Sequence, residues 1–402
     1  MGRGRGAVTA LVRGDWHDVR AASRGLAKPV ASELVDLAGA GGRVLADDLR
    51  SLVDLPSADV TAMDGWAAAG DGPWTVLDRI VNGRPPSGPM RPGEARGIGT
   101  GAVVPEGTTA LVRREHGTVR DGLLHWTGPR GEQPSLGDVR PRGEELRVGD
   151  IVLPAGTPLD PVSLAVSAAS GHDAVQVSRP PVVDLLVTGD EVVRRGVPAP
   201  GTIRDSISPL LSGMTRGAGA APGQVTLVGD DLPELVRLLR SSAADVVVTT
   251  GGTAVGEADH LREALGIVGA TLAVDTVAVR PGGPTLLAVL PDGRLVACLP
   301  GNPLAAVVGF LAVVHPALQE MTGRRAAAPP SEVLGVDLDP FPRATRVLPF
   351  ARVDGAAVPT GWSSSSMLRG LSASDGLLVA PREGARTGQS LEVLEPLWRA
   401  TT

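Results

Sequence analysis

The stretch of sequence that decides the fold is residues 245–261, DVVVTTGGTAVGEADHL. Val246–Thr250 is a run of β-branched residues, which predicts a buried parallel strand. Gly251 and Gly252 follow at once, and glycines after a strand let backbone N–H groups close on an anion at the next helix start. Because Glu257 and Asp259 lie just beyond, the stretch predicts a phosphate and metal site, as in nucleotide or phosphopterin chemistry.

Around this stretch, strand-like and helix-like patterns alternate from residue 182 to residue 321. The runs VVDLLV, QVTLVG, DVVVTT and RLVACLPG are strand-like, and LPELVRLLRSSA has the spacing of an amphipathic helix. Such alternation predicts an α/β domain with a doubly wound, mostly parallel sheet. Ligands of these sheets bind beyond the carboxyl ends of the strands.

The rest of the chain shows a different residue pattern. At 402 residues the whole chain is too long for a single hydrophobic core. Residues up to about 55 read as helical, and residues 56–142 show short apolar runs between Gly and Pro that predict a small β module. Residues 145–177 return to a mixed helical pattern. The tail beyond residue 325 is again β-like, so the chain is multidomain.

Composition narrows the class of protein. The net charge of −6 argues against a nucleic-acid footprint. The only cysteine, Cys298, lies in an apolar run, which favours a reducing compartment. No secretory or membrane segment is visible, so we expect a cytoplasmic protein without a membrane partner. Lys28 is the only lysine among 38 basic residues, so a lysine replaced by arginine carries little information here.

Four carboxylates follow three different predicted strands: Glu191, Asp230, Asp231 and Asp259. A hard cation such as Mg²⁺ prefers oxygen ligands, usually one or two carboxylates with phosphate and water. The alternative for any single one is a helix cap. Taken together, the four favour a metal site.

The anion side of the predicted site consists of the two glycines and the stretch RPGGP at 280–284. Arg280 can contact phosphate or molybdate oxygens in a bidentate manner. A plain turn is the alternative for RPGGP alone. The six histidines show no metal-binding spacing.

Taken together, these segments resemble the MoeA family of molybdopterin molybdenumtransferases, whose eukaryotic counterpart is the gephyrin E domain. The resemblance covers nearly the whole chain. The motifs that carry it are, in chain order, MDGWA, GTGA, TGDE, VGDD, TTGGTAVGEAD, RPGGP and LPGNP.

The resemblance implies four domains: a discontinuous elongated dimerisation domain (1–45 plus 146–177), a β domain (46–145), a molybdopterin-adenylyltransferase-like α/β domain (178–326) and a C-terminal β domain (327–402). It implies Mg²⁺-dependent insertion of molybdate into adenylylated molybdopterin with release of AMP. It also implies a homodimer whose active sites are shared between subunits. A molybdopterin adenylyltransferase is a further candidate partner.

Carried across motif by motif, the resemblance assigns these residues. The catalytic residues are Asp64, Glu191, Asp230 and Asp259, of which the last three also hold the metal. The substrate-binding residues are Thr100, Gly251, Gly252, Thr253, Arg280, Pro281 and Ser365.

Beside the milder changes at Glu145 and Arg280, the chain departs from the family pattern at three positions. The second lysine of the KPGKP motif is Gly283, an asparagine is Ile207, and a serine of the glycine loop is Ala254. An active transferase is favoured because the acidic set is complete. A weakened paralogue that binds molybdopterin or acts as a scaffold is the alternative. A stand-alone adenylyltransferase is disfavoured by the intact β domains.

Overall fold

The computed structural model describes residues 10–252, 260–325 and 327–399. Its N-terminal half is dominated by short strands. The strands are β1 Leu11–Gly14, β2 Ser32–Asp36, β3 Leu49–Arg50, β4 Val60–Thr61, β5 Gly65–Ala68, β6 Trp74–Arg79, β7 Glu94–Ile98, β8 Ala110–Arg113, β9 Gly117–Arg120, β10 Leu123–Trp126, β11 Val139–Arg140, β12 Ile151–Leu153 and β13 Ala174–Ser178. The helices are α1 Trp16–Leu26 and α2 Pro161–Ala169, with 3₁₀ turns at Leu37–Gly39 and Arg114–His116.

The second half alternates strands and helices before it ends in a further sheet. Its strands are β14 Val182–Thr188, β15 Val192–Val193, β16 Ile203–Arg204, β17 Ala221–Val228, β18 Val246–Thr250, β19 Thr271–Val277, β20 Val279–Arg280, β21 Leu286–Val289, β22 Leu295–Leu299, β23 Ser331–Val333, β24 Thr345–Val353, β25 Ala356–Pro359, β26 Gly376–Ala380 and β27 Ser390–Leu394. Its helices are α3 Ile207–Gly217, α4 Leu232–Ser241, α5 His260–Ile267, α6 Pro303–Gly309, a π-helical segment Phe310–Val314, α7 His315–Met321 and α8 Arg369–Ser372.

The centre of the α/β domain is a seven-stranded sheet in the order β1-β19-β21-β22-β18-β14-β17. Only β21 runs antiparallel to its neighbours, and the other pairings are parallel. Helices α1, α3, α6 and α7 cover one face, and α4 and α5 cover the other. This arrangement confirms the predicted doubly wound α/β domain within a multidomain protein. All five residues of β18 are buried, as their continuous apolar pattern predicts.

The prediction that residues up to about 55 are helical was wrong beyond Leu26. Helix α1 ends there, and the chain continues as short strands from Ser32 onward. Strand β1 pairs with β19 in parallel. Trp16 and Val19 of α1 are fully buried in the same core as the α/β sheet. Residues 11–26 therefore pack with that sheet, although the family resemblance groups them with residues 146–177.

The β module is a six-stranded sheet in the order β8-β5-β7-β6-β10-β9. Three two-stranded ribbons (β2–β13, β3–β12 and β4–β11) connect residues 32–61 with residues 139–178. The first two ribbons enclose a small core that includes Leu45, Leu159 and Val177. The two chain segments on either side of the β module thus meet in space.

The C-terminal sheet has the order β20-β24-β26-β27-β23, with β25 paired to β24. Strand β20 belongs to the α/β part of the chain, and its pairing with β24 joins the two parts through backbone hydrogen bonds. This pairing fixes Arg280 at the junction between the α/β sheet and the C-terminal sheet.

The helical run Pro303–Met321 is long and apolar enough to cross a membrane, but 83% of its apolar window is buried inside the protein. Its residues pack against α1, α3 and the sheet in the main core. This burial is typical of the core helix of a doubly wound domain.

Candidate active site

The carboxyl ends of β14, β17, β18, β19 and β22 meet at one edge of the seven-stranded sheet, because only β21 is reversed. The predicted anion-binding and acidic loops follow these strands. Each loop therefore lies at the edge where ligands bind in doubly wound folds.

The loop after β18 carries the two predicted glycines. Gly251 and Gly252 have φ values of 98° and 62°, which glycine adopts without steric cost. A Cβ added at Gly251 would lie 2.6 Å from Thr188 Oγ1. The backbone N–H of Gly251 donates to Leu299 O at 3.0 Å. The loops after three strands are thus in direct contact. Thr253, Ala254 and Asp259 lie outside the described residues.

The acidic loops after β14 and β17 also touch each other. Asp190 Oδ1 accepts from the backbone N–H of Asp230 at 3.3 Å. Asp231 is the N-cap of α4 and accepts from the Glu234 N–H at 2.9 Å, so the capping alternative holds for that residue. Glu191 and Asp230 remain as acids at this end of the edge. Within the described parts of the chain, no group of three or more acidic, His or Cys side chains is arranged to hold a metal ion.

A cleft of about 790 Å³ lies where the α/β sheet meets the C-terminal sheet. We call it the Arg280 cleft. The predicted residues Arg280, Pro281 and Ser365 all line it. Ser365 also joins the two parts of the chain, because its carbonyl accepts from the Ala305 N–H at 3.2 Å. Arg280 lies over the Phe341 ring at 5.3 Å.

Three further arginines line the same cleft: Arg13, Arg343 and Arg346. Arg346 Nε is buried and has no hydrogen bond partner among the residues described. A buried donor without a partner costs free energy, which a bound anion would recover. Sequence reasoning missed these residues because arginine is common throughout the chain and no motif marks them.

Arg13 reaches the cleft from β1 in a strained conformation. Its φ is 52°, and Thr276 on the neighbouring strand has φ 66°. The two lie opposite each other, between the pairs Val12–Asp275 and Gly14–Val277. Positive φ is uncommon in non-glycine residues, and for a β-branched residue such as Thr276 it is an outlier. Such strain clusters at functional sites.

Two of the departures from the family pattern have clear positions. Gly283 lines the Arg280 cleft, so a lysine there would face the arginines. Ile207 is 8% exposed and belongs to the main core at the start of α3. Its backbone N–H donates to Asp205 Oδ1 at 3.1 Å. An apolar residue is therefore accommodated at position 207 by burial.

Asp64 and Thr100 form a pair in the β module. Asp64 Oδ1 accepts from the Thr100 N–H at 2.8 Å and from Thr100 Oγ1 at 3.2 Å. These hydrogen bonds, with the charges of Arg79 and Arg114, lower the pKa of Asp64. Asp64 is therefore ionised at neutral pH, and both residues are exposed. Neither of the two lines the Arg280 cleft.

The acidic loops and the Arg280 cleft lie toward opposite ends of one edge. Four strand positions separate β14 from β19, which is about 19 Å at about 4.8 Å per strand. The Arg280 cleft and the acidic loops thus lie along one edge of the sheet, with the glycine loop between them.

Comparison with known proteins identifies three matching regions. Residues 16–171 match the MoeA N-terminal region (domain I and II), residues 184–320 match a probable molybdopterin binding domain, and residues 333–395 match the MoeA C-terminal region (domain IV). Together they span most of the chain.

Curated relatives named molybdopterin molybdenumtransferase match this chain over most of their length. A molybdopterin molybdenumtransferase from Nostoc sp. is 33% identical over 308 residues, which cover 73% of this chain and 70% of the relative. One from Staphylococcus epidermidis is 28% identical over 383 residues, with 88% of each chain covered.

Among solved structures, a molybdopterin biosynthesis MoeA protein from Pyrococcus horikoshii superimposes with a TM-score of 0.80 at 23% identity. The match covers 94% of this chain and 99% of that one. At this identity the likeness supports the fold alone. The sequence matches go further: the chain belongs to the MoeA family of molybdopterin molybdenumtransferases, transferases of molybdenum cofactor biosynthesis.

Proposed function

We propose that the chain catalyses Mg²⁺-dependent insertion of molybdate into adenylylated molybdopterin, with hydrolysis of the adenylate and release of AMP. The observation that carries the proposal is the Arg280 cleft. It gathers four arginines around a space of about 790 Å³, and one of them has a buried donor without a described partner. Molybdate is a tetrahedral dianion whose oxygens suit the paired N–H groups of arginine.

The acidic end of the edge suits the other half of the reaction. Glu191 and Asp230 would supply carboxylates to Mg²⁺, and Asp259 is the third acid that the family pattern assigns. Two carboxylates fit Mg²⁺, which keeps several waters and binds substrate phosphates. When bound, Mg²⁺ would neutralise charge on the phosphate oxygens of the adenylate. A separation of about 19 Å between the two ends suits an elongated substrate.

Other residues of the chain would bind and orient the two substrates. The N–H groups around Gly251 and Gly252 would bind phosphate oxygens between the two ends. Arg280 and Ser365 would orient molybdate. Asp64, which is ionised, would act from the β module of the partner subunit in a homodimer with shared sites. The protein would work in the cytoplasm, and a molybdopterin adenylyltransferase would supply its substrate.

A second candidate function follows from Gly283. Without the family's second lysine, the chain could hold molybdopterin or serve as a scaffold without turnover. The four arginines of the cleft favour the active enzyme, because they provide positive charge from other strands.

The test is molybdate-dependent AMP release by the purified protein from adenylylated molybdopterin, beside restoration of molybdoenzyme activity in a strain that lacks its family member. Arg280→Gln should weaken molybdate use by about tenfold, which is the loss of one charge-assisted contact. Arg195→Gln is the matched control, because Arg195 is exposed and lines none of the described clefts. Tight substrate binding without AMP release would support the scaffold alternative instead.

A further inference from the structure

A second cleft, of about 690 Å³, lies between α1, α7 and the C-terminal part of the chain. We call it the α1 pocket. Among the residues that the structure describes, the two clefts share no lining residue. The described lining of the α1 pocket includes four arginines: Arg20, Arg24, Arg324 and Arg325.

Helix α1 brings two of these arginines to the pocket. Trp16 and Val19 occupy its buried face, and Arg20 and Arg24 stand one turn apart on the neighbouring face. The Arg20 guanidinium donates to Leu311 O. Five residues later comes Pro316, which has no N–H, so the π-helical turn leaves this carbonyl without its usual donor. Arg20 is therefore held in place as a structural element.

The other three arginines are less committed. Arg24 donates to Gln319 Oε1 at 2.8 Å, a neutral partner. Within the described ranges, Arg324 and Arg325 form no ion pair. The acidic residues that line the pocket are Glu392 and Glu395, and Glu392 lies 3.8 Å from His17. The described lining thus holds four arginines and two glutamates, an excess of positive charge.

His315 contributes an unmet polar group to the same pocket. Its Nδ1 is buried and has no hydrogen bond partner in the part of the chain that the structure describes. Burial, followed by the charges of Arg20, Arg324 and Arg24, lowers the pKa of His315 to about 3, so the ring is neutral at physiological pH. A neutral imidazole can donate one hydrogen bond without adding to the repulsion among the arginines.

We propose that the α1 pocket binds a small molecule that carries a phosphomonoester group. Arg24 and Arg324, beside the neutral His315, match the oxygens of a phosphate dianion. The guanidinium group of arginine binds phosphate in a bidentate manner. The volume lies within the range of small-molecule pockets and exceeds what a free ion fills. This site is separate from the proposed molybdate cleft and does not depend on the proposed reaction.

The test compares inorganic phosphate and glycerol 3-phosphate, titrated calorimetrically into the full-length protein at matched ionic strength. Arg24→Gln and Arg324→Gln each remove one pocket charge, and Arg24 gives up only its hydrogen bond to the Gln319 side chain. Each should weaken glycerol 3-phosphate binding by about tenfold. Arg195→Gln, which lies outside the pocket and outside the Arg280 cleft, should leave that affinity within about twofold. Thermal melts of all three variants confirm that they fold.

Three results would overturn the assignment. The first is the absence of measurable binding of either probe to the wild-type protein. The second is equal binding by wild type and by both pocket variants at unchanged thermal stability. The third is tighter binding of inorganic phosphate than of glycerol 3-phosphate, which would show that the ester portion finds no place in the pocket.

Discussion

Gly283→Lys tests whether the Arg280 cleft is the molybdate site. Gly282 next to it needs its φ of 102°, but Gly283 has no such requirement, so its backbone suits any L-residue. An added Cβ would lie 3.3 Å from Val279 O, which asks that carbonyl to move by a few tenths of an ångström, and 3.5 Å from Val277 O, which is an ordinary contact. The variant should therefore fold with a nearly unchanged Tm.

The expected gain follows from one added charge. A charge-assisted hydrogen bond contributes about 1.5–3 kcal/mol when it is made. Position 283 is only partly buried, so the lower end applies. About 1.4 kcal/mol corresponds to a factor of ten, so the molybdate concentration at half-maximal rate should fall about tenfold.

The assay is AMP release as a function of molybdate, with thermal melts of the same preparations. Gly266→Lys is the matched control, because position 266 is an exposed position of α5, has open space around it and lines none of the described clefts. It adds the same charge to the protein as a whole. If Gly283→Lys is as stable as wild type yet its molybdate dependence is unchanged, position 283 does not face the bound anion and the motif assignment is mistaken.

Three further predictions follow from the described geometry. Asp230→Asn should lower the Mg²⁺-dependent rate of AMP release at unchanged Tm, because its side chain makes no hydrogen bond to another described residue; a fall in Tm would point to a structural role. Hydrogen bonds, chiefly from the Thr387 N–H, lower the pKa of Asp337 to about 2, so its stabilising effect is present above about pH 4 and is lost as the pH falls toward 2. Asp337→Asn should accordingly flatten the decline of Tm in that window, measured by melts at several pH values. At molybdate concentrations well below saturation, where the Arg280→Gln homodimers are nearly inactive, mixing Asp64→Asn chains with Arg280→Gln chains should restore about a quarter of wild-type activity in a statistical population of dimers. Half the dimers are then mixed, and each mixed dimer has one intact shared site. No recovery after subunit exchange, or a single-chain mass by light scattering, would contradict shared sites.

Where the sequence carries a local signal, it predicts the fold well. Val246–Thr250 forms a fully buried strand because its β-branched residues leave no polar face. The aspartate and proline at the start of α4 mark its first turn, and Asp231 caps it as such residues do. The glycine loop follows from the strand that precedes it.

Non-local pairing is what the sequence could not reveal. Strand β1 has only four residues, two of which are exposed, and its partner β19 lies some 260 positions later in the chain. No periodicity distinguishes such a segment from the helix that follows it. The same holds for Arg343 and Arg346, since their role arises only because β20 pairs with β24.

The pairing of these strands also explains how the cleft can dispense with a lysine at position 283. Because β1 pairs with β19 and β20 pairs with β24, Arg13 and Arg346 lie at the same edge as Arg280. Arg13 has a positive φ there, which costs of order 1 kcal/mol or more and persists because its strand is held in register. The charge of the cleft is therefore a property of several strands and not of the RPGGP motif alone. A chain that retains this charge has the means to bind an oxyanion, and this favours the active transferase over the scaffold.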